Sequence, residues 1–201
     1  MDEACTGVIL AGGQNSRFAG NNKAFAEIHG QKIIDRIYGV FRQLFDTIIL
    51  VTNSPELYMD VDALIVSDHF STRCSLTGVH TALFYTTTPH AFISACDTPF
   101  IKKEMIELVL GKIAPHLDII IPRTELGYEP LSAAYSTKCL AVAERQLKRK
   151  QYQIQTIFRG MNVRTIPEKQ LRMIDPCLDS FFNVNTPMDL KKAEIMENGR
   201  N

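Results

Sequence analysis

Apolar positions along the chain fall into two alternating rhythms. Short continuous runs at 6–10, 47–51, 63–67, 91–95 and 119–121 predict strands, those at 47–51, 63–67 and 91–95 suited to burial on both faces of a sheet. Between the first two, Ile33, Ile34, Ile37, Phe41, Leu44 and Phe45 recur at helical spacing, with Asp35, Arg36, Arg42 and Gln43 on the other side, which predicts a helix. A second helix is expected over 101–113, ended near Pro115. Beyond Pro122 the rhythm is less regular: a strand at 131–135, a helix at 138–150 with a basic end, and a strand at 163–166. The apolar pair Phe181-Phe182 precedes a last helix opened by Thr186-Pro187, where threonine caps and proline sits at the first helical position. Strands alternating with helices specify an α/β fold of three layers, Rossmann-like, with a mainly parallel central sheet. No repeat or Gly/Ser-rich linker interrupts the pattern, so one domain over 1–201 is expected. In open sheets of this kind ligands bind beyond the carboxyl ends of the strands, which directs attention to the loops after Leu10, Val51, Ser67 and Ala95.

Composition narrows the partners. The 22 Lys+Arg balance 22 Asp+Glu, so the formal net charge is zero, and neither a non-specific grip on nucleic acid nor a polybasic membrane patch is expected. No run approaches the roughly 20 apolar residues of a membrane helix. The start, Met1-Asp2-Glu3-Ala4-Cys5, lacks the basic and long apolar segments of a secretion signal, and the expected location is the cytoplasm. Five cysteines without a CxxC pair argue against a disulfide framework or a zinc knuckle, leaving reduced, mostly buried thiols as the expectation.

The loop after the first strand carries the strongest chemical signal: Leu10-Ala11-Gly12-Gly13-Gln14-Asn15-Ser16-Arg17-Phe18-Ala19-Gly20-Asn21-Asn22-Lys23. Adjacent glycines let the backbone turn tightly and bring its N–H groups close to an anion. Arg17 offers a fork for phosphate oxygens and Lys23 a point charge, with no acidic residue between Leu10 and Lys23 to oppose them. A Walker A loop is excluded because Gly20-Asn21-Asn22-Lys23-Ala24 lacks its pattern, and Gly12-Gly13-Gln14-Asn15 breaks the dinucleotide fingerprint. Asp97, at the end of a buried apolar run, suits a Mg²⁺ ion that takes one or two carboxylates and substrate phosphates, or else caps a helix starting near Pro99. Asn183 and Asn185 offer neutral oxygens to a metal or substrate, or close a turn before the last helix. Asn53 and Asp68 follow later strands and are either ligand-facing or ordinary turn residues. His29, His69, His80, His90 and His116 show no metal-ligand spacing, and Ser16 has no evident triad partners. Lys148-Arg149-Lys150 reads as a solvated helix end, with an anionic phosphate or a partner protein as the alternative use.

The Leu-Ala-Gly-Gly loop with Ser16, Arg17, Gly20 and Lys23 resembles the signature of nucleotidyltransferases that use a nucleoside triphosphate and release pyrophosphate. With Cys96-Asp97-Thr98-Pro99-Phe100, Glu129-Pro130-Leu131 and Phe182-Asn183-Val184-Asn185-Thr186-Pro187, the chain is most similar to the molybdenum cofactor guanylyltransferases. The resemblance implies transfer of GMP from GTP to the terminal phosphate of molybdopterin carrying molybdenum, giving a guanine dinucleotide cofactor and pyrophosphate, with Mg²⁺ as cofactor. It implies Arg17, Lys23 and Asp97 as catalytic residues and Asp97 as the metal ligand. The nucleotide site implied comprises Leu10, Ala11, Gly12, Gly13, Lys23, Asn53, Asp68 and Asp97, and the pterin side Glu129, Pro130, Asn183 and Asn185. Transient contact with molybdoenzymes or cofactor-synthesis proteins goes with that role.

Three departures from the family pattern stand out. Asn22 replaces the usual Asp before the lysine, Phe18-Ala19 replace Met-Gly, and Cys74-Ser75-Leu76-Thr77-Gly78 replace Gly-Pro-Leu-Ala-Gly, which changes the backbone freedom of a loop expected near the nucleotide. Alternatives are a cytidylyltransferase or sugar-phosphate nucleotidyltransferase of the same fold, or a non-catalytic GTP-binding protein that delivers the cofactor.

Overall fold

A computed structural model describes residues 5–12 and 22–199. The chain begins with strand β1 (Cys5–Leu10) and continues after a one-turn 3-10 helix, Lys23–Phe25, into the hairpin β2 (Glu27–Ile28) and β3 (Gln31–Lys32). Helix α1 (Ile33–Phe41), β4 (Ile48–Val51), β5 (Leu64–Val66), α2 (Ser75–Tyr85), β6 (His90–Ala95) and α3 (Lys103–Leu110) follow. The remainder is β7 (Ile119–Thr124), β8 (Gly127–Tyr128), β9 (Ser132–Ser136), α4 (Cys139–Lys148), β10 (Val163–Pro167), α5 (Glu168–Ile174) and α6 (Pro187–Asn198).

The main sheet runs β10-β7-β9-β6-β1-β4-β5, with β8 paired to β7. β1 is parallel to both β4 and β6, whereas β9 is antiparallel to β6 and β7. The chain winds outward from β1 through β4 to β5 and then crosses to β6 on the other side of β1. The loops after β1 and β6 therefore diverge at a topological switch point, the place where such sheets form a ligand crevice.

Burial on both faces explains the continuous apolar strands. Ile9, Leu50, Phe92, Ile120 and Ala134 face α1, α3, α5 and α6, while Val8, Ile49, Ile93, Ile119 and Ala133 face α2 and α4. Successive residues point to opposite faces, and both are covered. At Gly7 a Cβ would collide with the rings of Phe41 and Phe45, so only glycine lets these aromatics close over β1.

The sequence-based expectation lacks the hairpin β2–β3, β8 and α5, and it differs from the structure at three further elements. Strand β5 is an edge, not a doubly covered strand: Leu64 is 50% exposed and only Val66 is buried. Strand β7 continues through Pro122 to Thr124; the proline falls between the residues paired to β9 and those paired to β8, where its missing N–H is tolerated. Helix α2 was hidden because Leu76 to Leu83 are all buried, so no polar stripe marks it, and Thr77, Gly78, Val79 and Thr81 are weak helix formers. Tertiary packing holds it there. Among the cysteines, Cys96 and Cys139 are buried with thiols pushed up to about 12, chiefly by burial, but Cys177 is exposed.

The segment leading to α6 is anchored by a buried carboxylate. Asp175, 1% exposed, accepts from Lys102 Nζ at 2.8 Å, Ser180 N at 2.7 Å and Ser180 Oγ at 2.8 Å. Leu178, inside this turn, holds a left-handed φ of 58°, a conformation that must be supported from outside. Burial alone pushes the Asp175 carboxyl up, but the bonds from Lys102 and Ser180 outweigh it and hold the group below its usual range. The lowered folded-state value means that its stabilisation is present above the unfolded-state pKa of about 3.9 and is lost as pH falls through the folded value. Asp175→Asn is expected to cost about 2 kcal/mol at pH 7 in urea unfolding, with the gap to wild type shrinking below pH ~4. A gap unchanged at low pH contradicts this assignment.

Candidate active site

Strands β1, β4 and β6 end around a cleft of about 490 Å³. Its lining includes Leu10, Gly12, Lys23, Asp68, Asp97 and Asn185, residues drawn from five separate stretches of the chain.

Lys23 is delivered by a tight turn. Asn22 Oδ1 accepts from Ala24 N at 3.1 Å, capping the 3-10 helix, and Ala24 is fully buried beneath it. From there Lys23 Nζ donates to Asp97 Oδ2 and, at 3.1 Å, to Asn185 Oδ1. Asp97 follows β6, and its carbonyl accepts from Val184 N at 2.8 Å, which draws the 183–185 segment alongside the strand end. Asp97 does not cap the next helix. That helix starts at Lys103, and the residue before it, Lys102, makes no side-chain cap. The second carboxylate oxygen, Asp97 Oδ1, is buried and has no hydrogen-bond partner among the described residues. A cation, an anionic acceptor and a neutral oxygen thus meet at one point.

The second wall is built from Gly12, Asn53 and Asp68. Asn53 Nδ2 donates to Asp68 Oδ2 at 2.8 Å, and Thr81 Oγ1 donates to Asp68 Oδ1 at 3.3 Å. These bonds fix the carboxylate but leave each oxygen a further lone pair. Neither residue is spent on a local turn: the short contact between Ser54 N and residue 52 uses Thr52 Oγ1. A Cβ on Gly12 would stand 3.4 Å from Asn53 Nδ2 and 3.6 Å from Asp68 Oδ2, so the glycine keeps the space before this pair open. Gly12→Val is expected to raise the KM for nucleoside triphosphate about tenfold or more with the melting temperature little changed, measured by initial rates and thermal unfolding.

Other residues singled out in the sequence are placed as follows. Leu10 lines the cleft, while Ala11 is buried beside it with its N–H bonded to Val51 O at 2.8 Å. Asn183 lines the cleft but donates to Phe181 O at 2.9 Å, and Asn185 is the one of the two that reaches Lys23. Glu129 and Pro130 stand just outside the lining and Leu131 within it. Burial pushes the Glu129 carboxyl up, opposed by the hydrogen bond from Thr124. Gly13, Ser16, Arg17 and Gly20 lie outside the described residues. Lys148 pairs with Glu144 at 2.5 Å on the exposed end of α4.

Arg73, which the sequence did not single out, also lines the cleft, as does Ser75 of the 74–78 segment expected near the nucleotide. Both precede or open α2, which the sequence marks as a segment near the nucleotide but not as a helix, because it lacks an apolar stripe. Cys74 and Ser75 at that helix start line the cleft, which places the positive end of α2 there, and Cys74 makes no side-chain cap to it.

A hard divalent cation fits this donor set. Among the described residues no three His, Cys, Asp or Glu side chains converge, so a protein-only cage is not present there. The unpartnered Asp97 Oδ1, together with Asn185 Oδ1, which shares Lys23 Nζ with the other Asp97 oxygen, suits Mg²⁺, which takes few protein oxygens and fills its shell with phosphates and water.

Comparison with known proteins gives a consistent picture. The MobA-like NTP transferase domain matches residues 7–166. A molybdenum cofactor guanylyltransferase of Desulfosudis oleivorans is 44% identical over 192 residues, 96% of this chain and 95% of that protein. The crystal structure of molybdopterin-guanine dinucleotide biosynthesis protein A from Archaeoglobus fulgidus superposes with a TM-score of 0.84 at 28% identity, covering 96% of this chain and 99% of that one. No helix among the described residues is long and apolar enough to cross a membrane.

Proposed function

The chain belongs to the MobA-like NTP transferase family, and on that premise we propose that it transfers GMP from GTP to the terminal phosphate of molybdopterin carrying molybdenum. The products are the molybdopterin guanine dinucleotide cofactor and pyrophosphate. The observation that carries this reading is the meeting of Lys23, Asp97 and Asn185 opposite Gly12 and Asp68 within one cleft at the sheet's switch point.

The chemistry follows from the charges. A terminal phosphate oxygen of the pterin attacks the α-phosphorus of GTP, the bond from that phosphorus to the bridging oxygen breaks, and pyrophosphate leaves with the electron pair. The nucleophile is already largely ionised near pH 7, because the second pKa of a phosphate monoester is about 6, so no strong general base is needed. The task left to the protein is to bring two anions together and to stabilise charge on the α-phosphate and the leaving group. Lys23 serves the triphosphate, together with the Gly12-Gly13 loop and Arg17. Asp97 and Asn185 are the residues that would hold Mg²⁺. When bound, that ion neutralises phosphate charge and polarises the reacting phosphorus. The positive end of α2 and Arg73 add attraction for anions at the same cleft.

Asp68 accounts for the base. Guanine presents two N–H donors side by side on its Watson–Crick edge, which a carboxylate accepts together, whereas cytosine and adenine each place an acceptor beside a donor. Asn53, which donates to that carboxylate, is assigned with it to the nucleotide site. Asp68→Asn is expected to reduce the preference for GTP over CTP by about 10- to 100-fold in kcat/KM, the value of one good bidentate contact. An unchanged preference contradicts the role. Glu129, Pro130 and Asn183 are assigned to the pterin side, and the cytoplasm, with its supply of GTP and Mg²⁺, is the proposed setting. Hand-over of the product to molybdoenzymes by transient contact completes the role.

Pyrophosphate release measured with GTP, CTP and ATP, each with and without molybdenum-loaded molybdopterin, tests the proposal. Release requiring both GTP and the pterin is expected. Equal release with CTP, release without the pterin, or nucleotide binding with no turnover overturns it.

A further inference from the structure

The lysine in the cleft is held from behind by a pair of side chains, Asn22 and Tyr58, that do not line it. Asn22 makes two bonds with different atoms. Its Oδ1 accepts from Ala24 N at 3.1 Å, and its Nδ2 donates to Tyr58 Oη at 2.8 Å. Tyr58 lies 36 positions away, at the end of the 3-10 helix Pro55–Tyr58 that follows β4, and is 1% exposed. Its ring packs on Phe25, the last residue of the Lys23 turn, with centroids 5.0 Å apart. The turn is closed further by Phe25 N to Asn22 O at 3.0 Å and Ala26 N to Lys23 O at 3.1 Å. One buried tyrosine therefore grips the turn on both sides of Lys23: the Asn22 amide before it and the Phe25 ring after it.

We propose that Asn22 and Tyr58 form a positioning pair that fixes the backbone of the Lys23 turn, so that Nζ stays aimed at Asp97 and Asn185. This inference rests on the assignment of Lys23 to the triphosphate. The pair has no net charge. An amide donating to a phenol ties the turn down without placing a second anion beside Lys23, whose charge remains directed at Asp97 and the cleft. Burial pushes the Tyr58 hydroxyl well above its usual range, with Cys96 adding to it and the Asn22 bond opposing, so the hydroxyl stays protonated at neutral pH. Cys96 immediately precedes Asp97, which places the tyrosine behind both members of the Lys23–Asp97 pair. Lys23 interacts most strongly with charge that develops as pyrophosphate leaves, so loss of its alignment is expected in kcat more than in KM.

Single-turnover rates and KM for GTP test the pair in Tyr58→Phe, Asn22→Ala and Asn22→Asp, each with Lys23 present and in a Lys23→Met background. Tyr58→Phe keeps the ring and the packing, so folding is preserved while the bond is lost. With Lys23 present, Tyr58→Phe and Asn22→Ala are each expected to lower the rate about tenfold, with the KM for GTP changing less than about twofold. Asn22→Asp keeps the cap and accepts a hydrogen bond from the tyrosine hydroxyl, and its rate should stay within about threefold of wild type. In the Lys23→Met background, Tyr58→Phe should produce no further loss, since nothing remains to be aligned. An equal loss in both backgrounds overturns positioning through Lys23, and so does a wild-type rate in Tyr58→Phe. Full activity in Lys23→Met alone overturns the assignment of Lys23 itself, and this inference with it.

Discussion

Asp97→Asn is expected to lower kcat by about a thousandfold or more while the protein remains folded. The Asp97 side chain is 8% exposed, one oxygen is engaged by Lys23, and the other is buried without a partner among the described residues. An asparagine of the same shape keeps one acceptor for Lys23 and turns an N–H group toward the place where the proposed Mg²⁺ would sit. A donor facing a cation cannot substitute for an anionic ligand. The fold survives because the main-chain tie to Val184 does not involve the side chain, and Lys23, 19% exposed, reaches solvent. Steady-state rates and thermal unfolding check this directly, and Mn²⁺ binding in the presence of GTP, read by electron paramagnetic resonance, should weaken in parallel. Near-normal turnover contradicts the assignment.

Lys23→Met is expected to lower kcat/KM for GTP by about 100- to 1000-fold, the scale of removing one charge aimed at a developing oxyanion. It carries a second consequence that Asp97→Asn lacks. Methionine fills the space but leaves the Asp97 carboxylate buried without its counter-ion, and breaking a buried pair from one side costs about 3 kcal/mol. Urea unfolding of Lys23→Met should reveal that loss, and the double variant Lys23→Met, Asp97→Asn should recover much of it, because the stranded charge is then gone. Additive destabilisation in the double variant shows that the two groups do not depend on each other and contradicts the pairing.

The sheet was largely legible because its strands are buried on both faces and therefore read as unbroken apolar runs; Val8 and Ile9, or Ile119 and Ile120, belong to opposite sides of the same sheet. The last helix was legible for a local reason. Thr186 and Asp189 form a reciprocal capping box across its first turn, and Pro187 occupies a position with no N–H to satisfy. Helix α2 was illegible as a helix because burial all round erases amphipathic spacing, and with it went the significance of Arg73. Strand β5 was misjudged as doubly covered because an edge strand and a central strand of three apolar residues look alike in one dimension. In the cleft, residue types and their strand-end placement pointed to Gly12, Lys23, Asp68 and Asp97. The partnerships were beyond reach, since Lys23 and Asp97 are 74 positions apart and Asn22 meets Tyr58 through a contact no spacing rule encodes. Asn22, legible in the sequence only as a replacement for the usual Asp, is a two-bond anchor for the turn.

The most direct test of the central claim follows the label from GTP. Incubated with molybdenum-loaded molybdopterin and Mg²⁺, the protein should carry ³²P from the α-position of GTP into the pterin dinucleotide, while ³²P from the γ-position leaves entirely in pyrophosphate. Appearance of the γ-label in the pterin, or of the α-label only as free GMP, would contradict nucleotidyl transfer at this site.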